Sequence, residues 1–182
     1  MSIFASKPRA LQATAMALSV LVLAGCGLTQ SVADGTASVT KSIFYKQIKT
    51  LHLDFSAREA LNTDANDMSA LSVPTLVRVY QLRDSKAFEQ LDYQSLLVDG
   101  DASLKADLLS EREVVVKPGT GASLNMPMEK EAKFVAVVGL FRMPDMQKNS
   151  WRLVIDREDL LPDDPRIIEL RNNALSLKPV KD

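Results

Sequence analysis

The one cysteine of this 182-residue chain, Cys26, lies at the end of an apolar stretch close to the N-terminus. Its thiol can be alkylated, because a thiolate is a strong nucleophile. The preceding residues have the layout of a secretory signal: Lys7 and Arg9 form a positively charged region, residues 10–22 form an apolar region, and small residues close the segment. We therefore predict that the chain is exported and that residues 1–25 are removed as a signal peptide.

The segment before Cys26 is too short to span a bilayer as a helix. Its uncharged part, residues 10–24, falls short of the ~20 residues that a hydrocarbon core of ~30 Å requires. Residues 23–26 (Leu-Ala-Gly-Cys) resemble the bacterial lipobox, in which the cysteine is alkylated with diacylglycerol before the signal is cut off directly in front of it. The resemblance implies an S-diacylglycerol and an N-acyl lipid on Cys26. The alternative is an ordinary signal peptide with an incidental cysteine.

In bacterial lipoproteins the residue after the lipidated cysteine influences sorting. Here Gly27 stands where an aspartate would favour retention at the inner membrane, so we predict attachment to the outer membrane with the globular part in the periplasm. One acyl chain binds a bilayer only marginally, but each buried methylene contributes ~0.8 kcal/mol, so two or three chains make dissociation negligible.

The other residues whose types could catalyse a reaction or bind a metal do not form a recognisable site. His52 is the only histidine, which excludes paired-histidine metal sites and leaves a serine–histidine–aspartate triad as the remaining catalytic option. Its position within a predicted strand favours an ordinary sheet-surface side chain. Asp64, Asn66 and Asp67 partly resemble a calcium loop, but the glycine at the sixth position and the distal glutamate are missing. We predict that the protein is not an enzyme and holds no cofactor besides its covalent lipid.

Composition excludes further classes of protein. The formal net charge is −1, and a nucleic-acid-binding surface would need a basic excess or a dense basic stripe. With Cys26 acylated, the folded part has no thiol, which excludes disulfides and thiolate metal sites. The chain that remains after cleavage is long enough for one domain with its own core.

The mature chain divides into two predicted parts. Residues 26–47 carry the lipid and read as a flexible tether, because residues 27–38 are mostly small and polar. About 20 residues of such chain span ~25 Å on average. Residues 48–182 are predicted to form a single β-sandwich domain.

Hydrophobic periodicity predicts the elements of this domain. Apolar residues at positions 51, 53 and 55 alternate with polar residues at 52, 54 and 56, as in a half-buried strand. Residues 85–109 are predicted to be helical in pieces, with Asp92 as an N-cap, Gly100 as a separator, and Leu104, Leu108 and Leu109 at helical spacing. The predicted fold class is all-β, a sandwich of seven to eight strands with a short helical insertion. The further strands are expected at residues 75–82, 111–116, 123–128, 133–141, 151–156, 166–170 and 174–178.

The connection between the first two strands, residues 61–73, is long for a sandwich loop, and long connections are often functional. It offers adaptable apolar side chains inside a polar, acidic rim, a composition that suits docking of a basic surface. The alternative is a solvated loop whose apolar members fold back on the sandwich.

Several short sequences that follow the lipobox occur in an order that is similar to the order found in one protein family. They lie at residues 77–82, 93–97, 106–109, 117–119, 137–142 and 151–153. Together they resemble the TssJ (SciN, VasD) lipoproteins of type VI secretion systems. The resemblance implies a transthyretin-like β-sandwich anchored in the outer membrane. It also implies binding to the periplasmic C-terminal region of TssM, which joins TssL in the inner membrane. In that family the loop after the first strand takes part in docking, so the resemblance implies these candidate partner-binding residues: Asn62, Asp64, Asn66, Asp67, Met68 and Leu71.

Two other functions stay open on the sequence alone. The first is a periplasmic lipoprotein that carries a small ligand in a sandwich cavity, unrelated to secretion, although large side chains at Phe134, Leu140 and Trp151 would fill such a cavity. The second is a lipid-anchored hydrolase, which the single histidine opposes.

Overall fold

The computed structural model describes residues 47–64, 66 and 71–180, and this part of the chain folds into two four-stranded sheets. The predicted β-sandwich with a helical insertion is confirmed, and the described residues form eight strands. The helical insertion consists of α1 (Lys86–Gln90) and α2 (Tyr93–Leu104), and a short 3-10 helix covers Arg157–Asp159. The strands are β1 (Thr50–Leu61), β2 (Thr75–Leu82), β3 (Leu108–Val116), β4 (Gly121–Pro127), β5 (Phe134–Leu140), β6 (Arg152–Asp156), β7 (Arg166–Asn172) and β8 (Ala174–Leu177).

The first sheet has the strand order β4-β1-β7-β8 and keeps one face uncovered. Strand β1 pairs antiparallel with β4 and parallel with β7, which in turn pairs antiparallel with β8. Leu51, Leu53 and Phe55 are buried as their period of two predicts. The opposite face of β1 carries polar side chains such as His52, whose Nδ1 is hydrogen-bonded to Asn125 Oδ1 of β4. The sheet is therefore amphipathic, with its apolar face on the core.

The second sheet has the order β3-β2-β5-β6, and its central strand β5 is covered on both faces. Residues 135–139 of its central strand β5 are all buried, because one face meets the first sheet and the other meets the helical insertion. Tyr80 of β2 packs on Phe88 of α1 with ring centroids 6.4 Å apart. Trp151, just before β6, makes an edge contact with Tyr93 of α2 at 5.0 Å. Trp151 is fully buried, which confirms its predicted place in the core.

One detail of the helical insertion differs from the sequence-based prediction. Leu108 and Leu109 start β3, and Leu108 pairs with Leu82 at the end of β2, although their spacing from Leu104 fits a helix. The predicted division of the insertion near Gly100 is present, because α2 is kinked at Asp99, whose backbone is not helical. The N-cap prediction is confirmed, because the Asp92 carboxylate accepts the backbone N–H of Ser95 at 2.7 Å.

A close approach explains the glycine within α2. A Cβ atom at Gly100 would lie 2.5 Å from the hydroxyl oxygen of Tyr80, which is fully buried. Gly100→Ala is therefore expected to lower the free energy of unfolding by about 1 kcal/mol or more, because overpacking outweighs the ~1 kcal/mol that alanine gains in helix propensity. Urea denaturation of the variant checks this. The matched control is Gly121→Ala, whose added Cβ would meet nothing closer than 3.4 Å; a higher midpoint for Gly100→Ala would contradict the packing argument.

Candidate functional site

One end of the sandwich gathers the four connections that follow β1, β3, β5 and β7. We call it the loop end. It consists of the β1–β2 loop (residues 62–74), the β3–β4 turn (117–120), the β5–β6 loop (141–151) and the β7–β8 turn (residue 173 with its flanks). The described chain begins at the opposite end with Gln47, next to the connection between β6 and β7.

Asn62 forms the base of the β1–β2 loop. It is 3% exposed, with φ at 49°, a left-handed conformation that asparagine tolerates better than most residues. Its side-chain amide donates to the carbonyl of Pro74 at 3.3 Å, and its Oδ1 accepts the backbone N–H of Arg142 at 2.7 Å. Both the donor and the acceptor of the Asn62 side chain are thus hydrogen-bonded within the protein. Asn62 therefore supports the loop from its base.

Further hydrogen bonds fasten the same loop to its neighbours. The backbone N–H of Val73 donates to the carbonyl of Leu61 at 3.2 Å, and Asn173 of the β7–β8 turn donates from Nδ2 to the carbonyl of Thr63 at 2.9 Å. Asn62 N–H donates to the carbonyl of Asn172. The two flanks of the β1–β2 loop are therefore held in place by the rest of the loop end.

Three asparagines give the loop end its backbone shape. Asn62, Asn149 and Asn172 are the non-glycine residues with positive φ in the described part of the chain, at 49°, 50° and 51°. Each lies in a different connection of the loop end. Left-handed backbone is uncommon outside glycine, and such residues cluster where a surface must keep one shape.

The loop end also carries exposed apolar side chains. Leu71 is 60% exposed, Met143 is 45% exposed and Met146 is 53% exposed. A cleft of about 530 Å³ lies beside Met143 and is also bordered by Asp145 and the β7–β8 hairpin. Exposed leucine and methionine side chains around a polar cleft are typical of protein-binding surfaces.

Acidic side chains in both long loops shape their own backbone. Asp64 accepts the backbone N–H of Asn66 at 2.9 Å. Asp145 accepts the N–H groups of Gln147 and Lys148, both at 3.0 Å. The hydrogen bond from the Lys148 backbone lowers the pKa of Asp145 below its usual value. Asp145 therefore remains charged in mildly acidic conditions and keeps an acidic rim next to Met143.

Glu169, on the uncovered face of the first sheet and at the border of the cleft, joins two cations. Its Oε2 lies 3.0 Å from Lys178 Nζ and 2.9 Å from Arg58 Nη2. The hydrogen bond from Lys178, followed by that from Arg58, lowers the pKa of Glu169. This three-residue ion network joins β1, β7 and the segment after β8 on the sheet surface.

The lowered pKa of Glu169 makes part of the stability pH-dependent. A carboxyl group whose pKa is lower in the folded than in the unfolded chain stabilises the fold above its unfolded pKa of about 4.3, and that contribution is lost as the pH falls through the folded pKa. Glu169→Gln should thus reduce the drop in urea midpoint between pH 6 and pH 3. Glu131→Gln, whose partner Arg83 forms an exposed ion pair, serves as the control, and an equal reduction there would contradict the assignment.

The candidate residues from the sequence fall into three groups. Leu71 is exposed, and Asp64 and Asn66 form a local turn in the same loop. Asn62 is buried at the base of the loop. Cys26, Asp67 and Met68 lie outside the described residues, as does the predicted tether up to residue 46. Their assigned roles stay predictions.

The sequence analysis missed Arg142, Met143 and Met146, which the fold brings to the same end as Leu71. A local signal was present: Met143 and Met146 flank a Pro-Asp pair between two predicted strands. Apolar residues beside such a turn have no strand face to occupy, so they can project into solvent.

Within the described ranges, no group of three or more histidine, cysteine, aspartate or glutamate residues could hold a metal ion. No helix in that part of the chain is long and apolar enough to cross a bilayer.

The family model for type VI secretion lipoproteins (VasD, EvfM, TssJ) matches residues 49–173. The chain belongs to the type VI secretion lipoprotein family. The match covers the first seven strands, β1 to β7, and ends directly before β8. The description of the family model refers to secretion and to a lipoprotein, and it names no reaction. The comparison with curated protein sequences gives no match.

Solved structures include close relatives of this lipoprotein. One, described as the T6SS protein TssM C-terminal domain (869-1107) from EAEC, contains a chain that is 42% identical, with a TM-score of 0.66; the match covers 73% of this chain and 100% of that chain. A structure described as the type VI membrane complex contains a chain that is 43% identical, with a TM-score of 0.68 and the same coverage.

More distant members share the fold. TssJ1, a T6SS lipoprotein from Pseudomonas aeruginosa, is 22% identical with a TM-score of 0.60, and the match covers 74% of this chain and 99% of that one. Lip from Serratia marcescens, a membrane-bound component of the type VI secretion system, is 22% identical with a TM-score of 0.61 over 72% of this chain and 98% of that one. The two-sheet sandwich is thus the fold of the family.

Proposed function

We propose that this lipoprotein anchors a type VI secretion membrane complex to the outer membrane by binding the periplasmic C-terminal domain of TssM. The observation that carries the proposal is the 42% identity to a full chain within a structure of the TssM C-terminal domain. A structure of a complex between TssM and a lipoprotein of this family would contain such a chain. Through TssM the lipoprotein would be linked to TssL in the inner membrane.

The loop end is the surface that we assign to TssM. Leu71 and Met143 supply apolar contact area on two different loops, and Asp145 supplies an acidic rim. The flanks of both loops are held by hydrogen bonds within the sandwich, which reduces the conformational entropy that binding would cost. Asp67 and Met68 belong to the same proposed surface by their position in the sequence.

The lipid on Cys26 supplies the second half of the proposed function. The chain from Cys26 joins the sandwich at Gln47, at the end opposite to the loop end. Attachment therefore uses none of the residues that we assign to TssM. Two or three acyl chains would hold the protein in the bilayer firmly enough to resist force transmitted through a partner.

The ligand-carrier alternative has little room in the sandwich. Large side chains that are fully buried occupy the interior and the space under the helices, including Trp151, Tyr80, Phe55 and Phe88. A pocket for a small molecule needs several hundred cubic ångströms of enclosed space. A packed core supports a binding role at the surface.

Binding of the full chain, purified in detergent, to the isolated TssM C-terminal domain tests the proposal directly. We expect a saturable complex of defined stoichiometry in titration calorimetry, together with co-fractionation with the outer membrane in cells. A chain that is folded and lipidated but does not bind TssM at micromolar concentration would overturn the docking half. Fractionation with the inner membrane would overturn the outer-membrane half.

A further inference from the structure

Arg142, two residues after the end of β5, bonds to two separate parts of the β1–β2 loop. Its backbone N–H donates to Asn62 Oδ1 at 2.7 Å. Its guanidinium donates to the carbonyl oxygen of Asn62 from Nε at 3.3 Å and from Nη2 at 3.0 Å. The same Nη2 donates to the carbonyl of Leu71 at 3.1 Å. One side chain therefore joins the first residue of the loop to the exposed leucine nine positions later.

The geometry of these contacts requires an arginine. A guanidinium has five N–H donors in a rigid, planar fork, whereas a lysine ammonium is a compact point charge on a flexible stem. Hydrogen bonds from a charged donor are also about twice as strong as neutral ones. A lysine at position 142 could reach one carbonyl oxygen but could not hold Asn62 and Leu71 together in the same way.

The contacts also connect the two loops that carry the apolar side chains of the loop end. Met143 follows Arg142 directly in the chain, so the backbone that bears Met143 is fixed to Asn62. The guanidinium fixes Leu71 to the same point. Leu71 and Met143 come from segments that are far apart in sequence, and Arg142 sets their relative position.

We infer that Arg142 is the positioning residue of the TssM-docking surface: it holds Leu71 beside Met143 and acts on binding through them. This inference rests on the proposed function. The guanidinium already donates to backbone carbonyls, so its contribution to the interface is the order it imposes on two loops. A pre-ordered surface binds more tightly because less conformational entropy is lost on association.

Arg142→Lys is the first test, with Arg157→Lys as the matched control. Arg157, at the opposite end of the sandwich, likewise donates to several backbone carbonyls, including those of Ala132 at 2.7 Å and Ile48 at 3.0 Å. With the full chain in detergent, Arg142→Lys should weaken TssM binding by about tenfold, the effect of one lost charge-assisted hydrogen bond. Arg157→Lys should lower the thermal midpoint without changing affinity; Arg166→Lys replaces it if that variant fails to fold.

Amide hydrogen exchange supplies a readout that does not need TssM. The N–H of Val73 is hydrogen-bonded to Leu61 at the closing point of the loop. Its exchange should accelerate in Arg142→Lys and stay unchanged in Arg157→Lys. Unchanged exchange at Val73 overturns the inference while leaving the proposed function intact. Faster exchange in a protein that does not bind TssM overturns the proposed function and leaves Arg142 as an organiser of the loop.

A double-mutant cycle separates positioning from direct contact with TssM. If Arg142 acts through Leu71, its substitution should cost little further affinity in a Leu71→Ser background, because the two changes remove the same interaction. Additive losses in Arg142→Lys, Leu71→Ser and the double variant would mean that the guanidinium contacts TssM itself, and this would overturn the positioning role.

Discussion

Replacing Cys26 by serine is expected to release the protein from the membrane completely. A serine hydroxyl is a far weaker nucleophile than a thiol and does not accept the diacylglycerol, so the chain loses its only predicted anchor. Because each buried methylene contributes ~0.8 kcal/mol, removal of several acyl chains abolishes membrane affinity instead of merely weakening it. Metabolic labelling with a radioactive fatty acid and membrane fractionation measure the two consequences.

Gly27→Asp is the matched control for Cys26→Ser. It changes the neighbouring residue and leaves the cysteine, so the protein should still carry lipid but collect in the inner membrane. Intact mass spectrometry of the mature wild-type protein adds a further check. A mature N-terminus at Cys26 without acyl mass, or a Cys26→Ser variant that still fractionates with the outer membrane, would contradict the assignment of the anchor.

The strands could be predicted because their periodicity is local. Leu51, Leu53 and Phe55 alternate with polar residues, and the structure buries these three. The unbroken apolar run of β5 indicated a strand covered on both sides, and the structure covers it with the first sheet and the helical insertion. Whether a strand is buried on one face or on both determines its pattern of apolar and polar residues, and a short stretch of sequence displays that pattern.

The boundary between α2 and β3 could not be predicted in the same way. Leu104, Leu108 and Leu109 have helical spacing, yet Leu108 pairs with Leu82 of β2. Pairing with a strand that ended 26 positions earlier decides the conformation here, and such long-range pairing overrides local propensity. The helix break that the sequence placed at Gly100 occurs one residue earlier, at Asp99. The close approach of Gly100 to Tyr80 could not be predicted, because only the folded chain creates it.

The loop end was predictable only in part. The length of the β1–β2 connection drew attention to Leu71, but nothing near Leu71 in the sequence points to Met143 or Arg142. These residues meet because every second connection of the sandwich returns to the same end. A docking surface assembled from separate loops is a property of the topology, so sequence spacing could indicate its members singly but not their grouping.

Arginine side chains recur as partners of irregular backbone throughout this fold. The carbonyl groups of loops and helix ends have no strand or helix partner, and a buried carbonyl without a hydrogen bond is costly. Arg152 donates to the carbonyls of Phe88 and Leu91 at 2.9 and 2.7 Å, and Arg78 donates to that of Leu96 at 2.9 Å. The helical insertion and the loop end are thus fastened by the same chemistry.

Introducing a carboxylate at Leu71 and at Met143 is expected to abolish TssM binding without unfolding the protein. Both side chains are exposed in the free lipoprotein, so Leu71→Asp and Met143→Asp remove no core packing. In the complex they would be desolvated, and an unpaired buried carboxylate is strongly unfavourable. Each single variant should lose about thirtyfold in affinity, the effect of a hot-spot residue, and the double variant at least about hundredfold.

Val98→Asp is the matched control for the two loop variants. Val98 is 71% exposed on α2, and its substitution adds the same charge to an apolar surface position that belongs to none of the loop-end connections. Titration calorimetry with the TssM C-terminal domain should give wild-type affinity for Val98→Asp, and thermal unfolding should be alike for all variants. Equal losses of affinity at positions 71, 143 and 98 would indicate a nonspecific effect of charge. Normal binding by the double variant would move the docking surface elsewhere on the sandwich, because a partner that covers the loop end could not accommodate two carboxylates there.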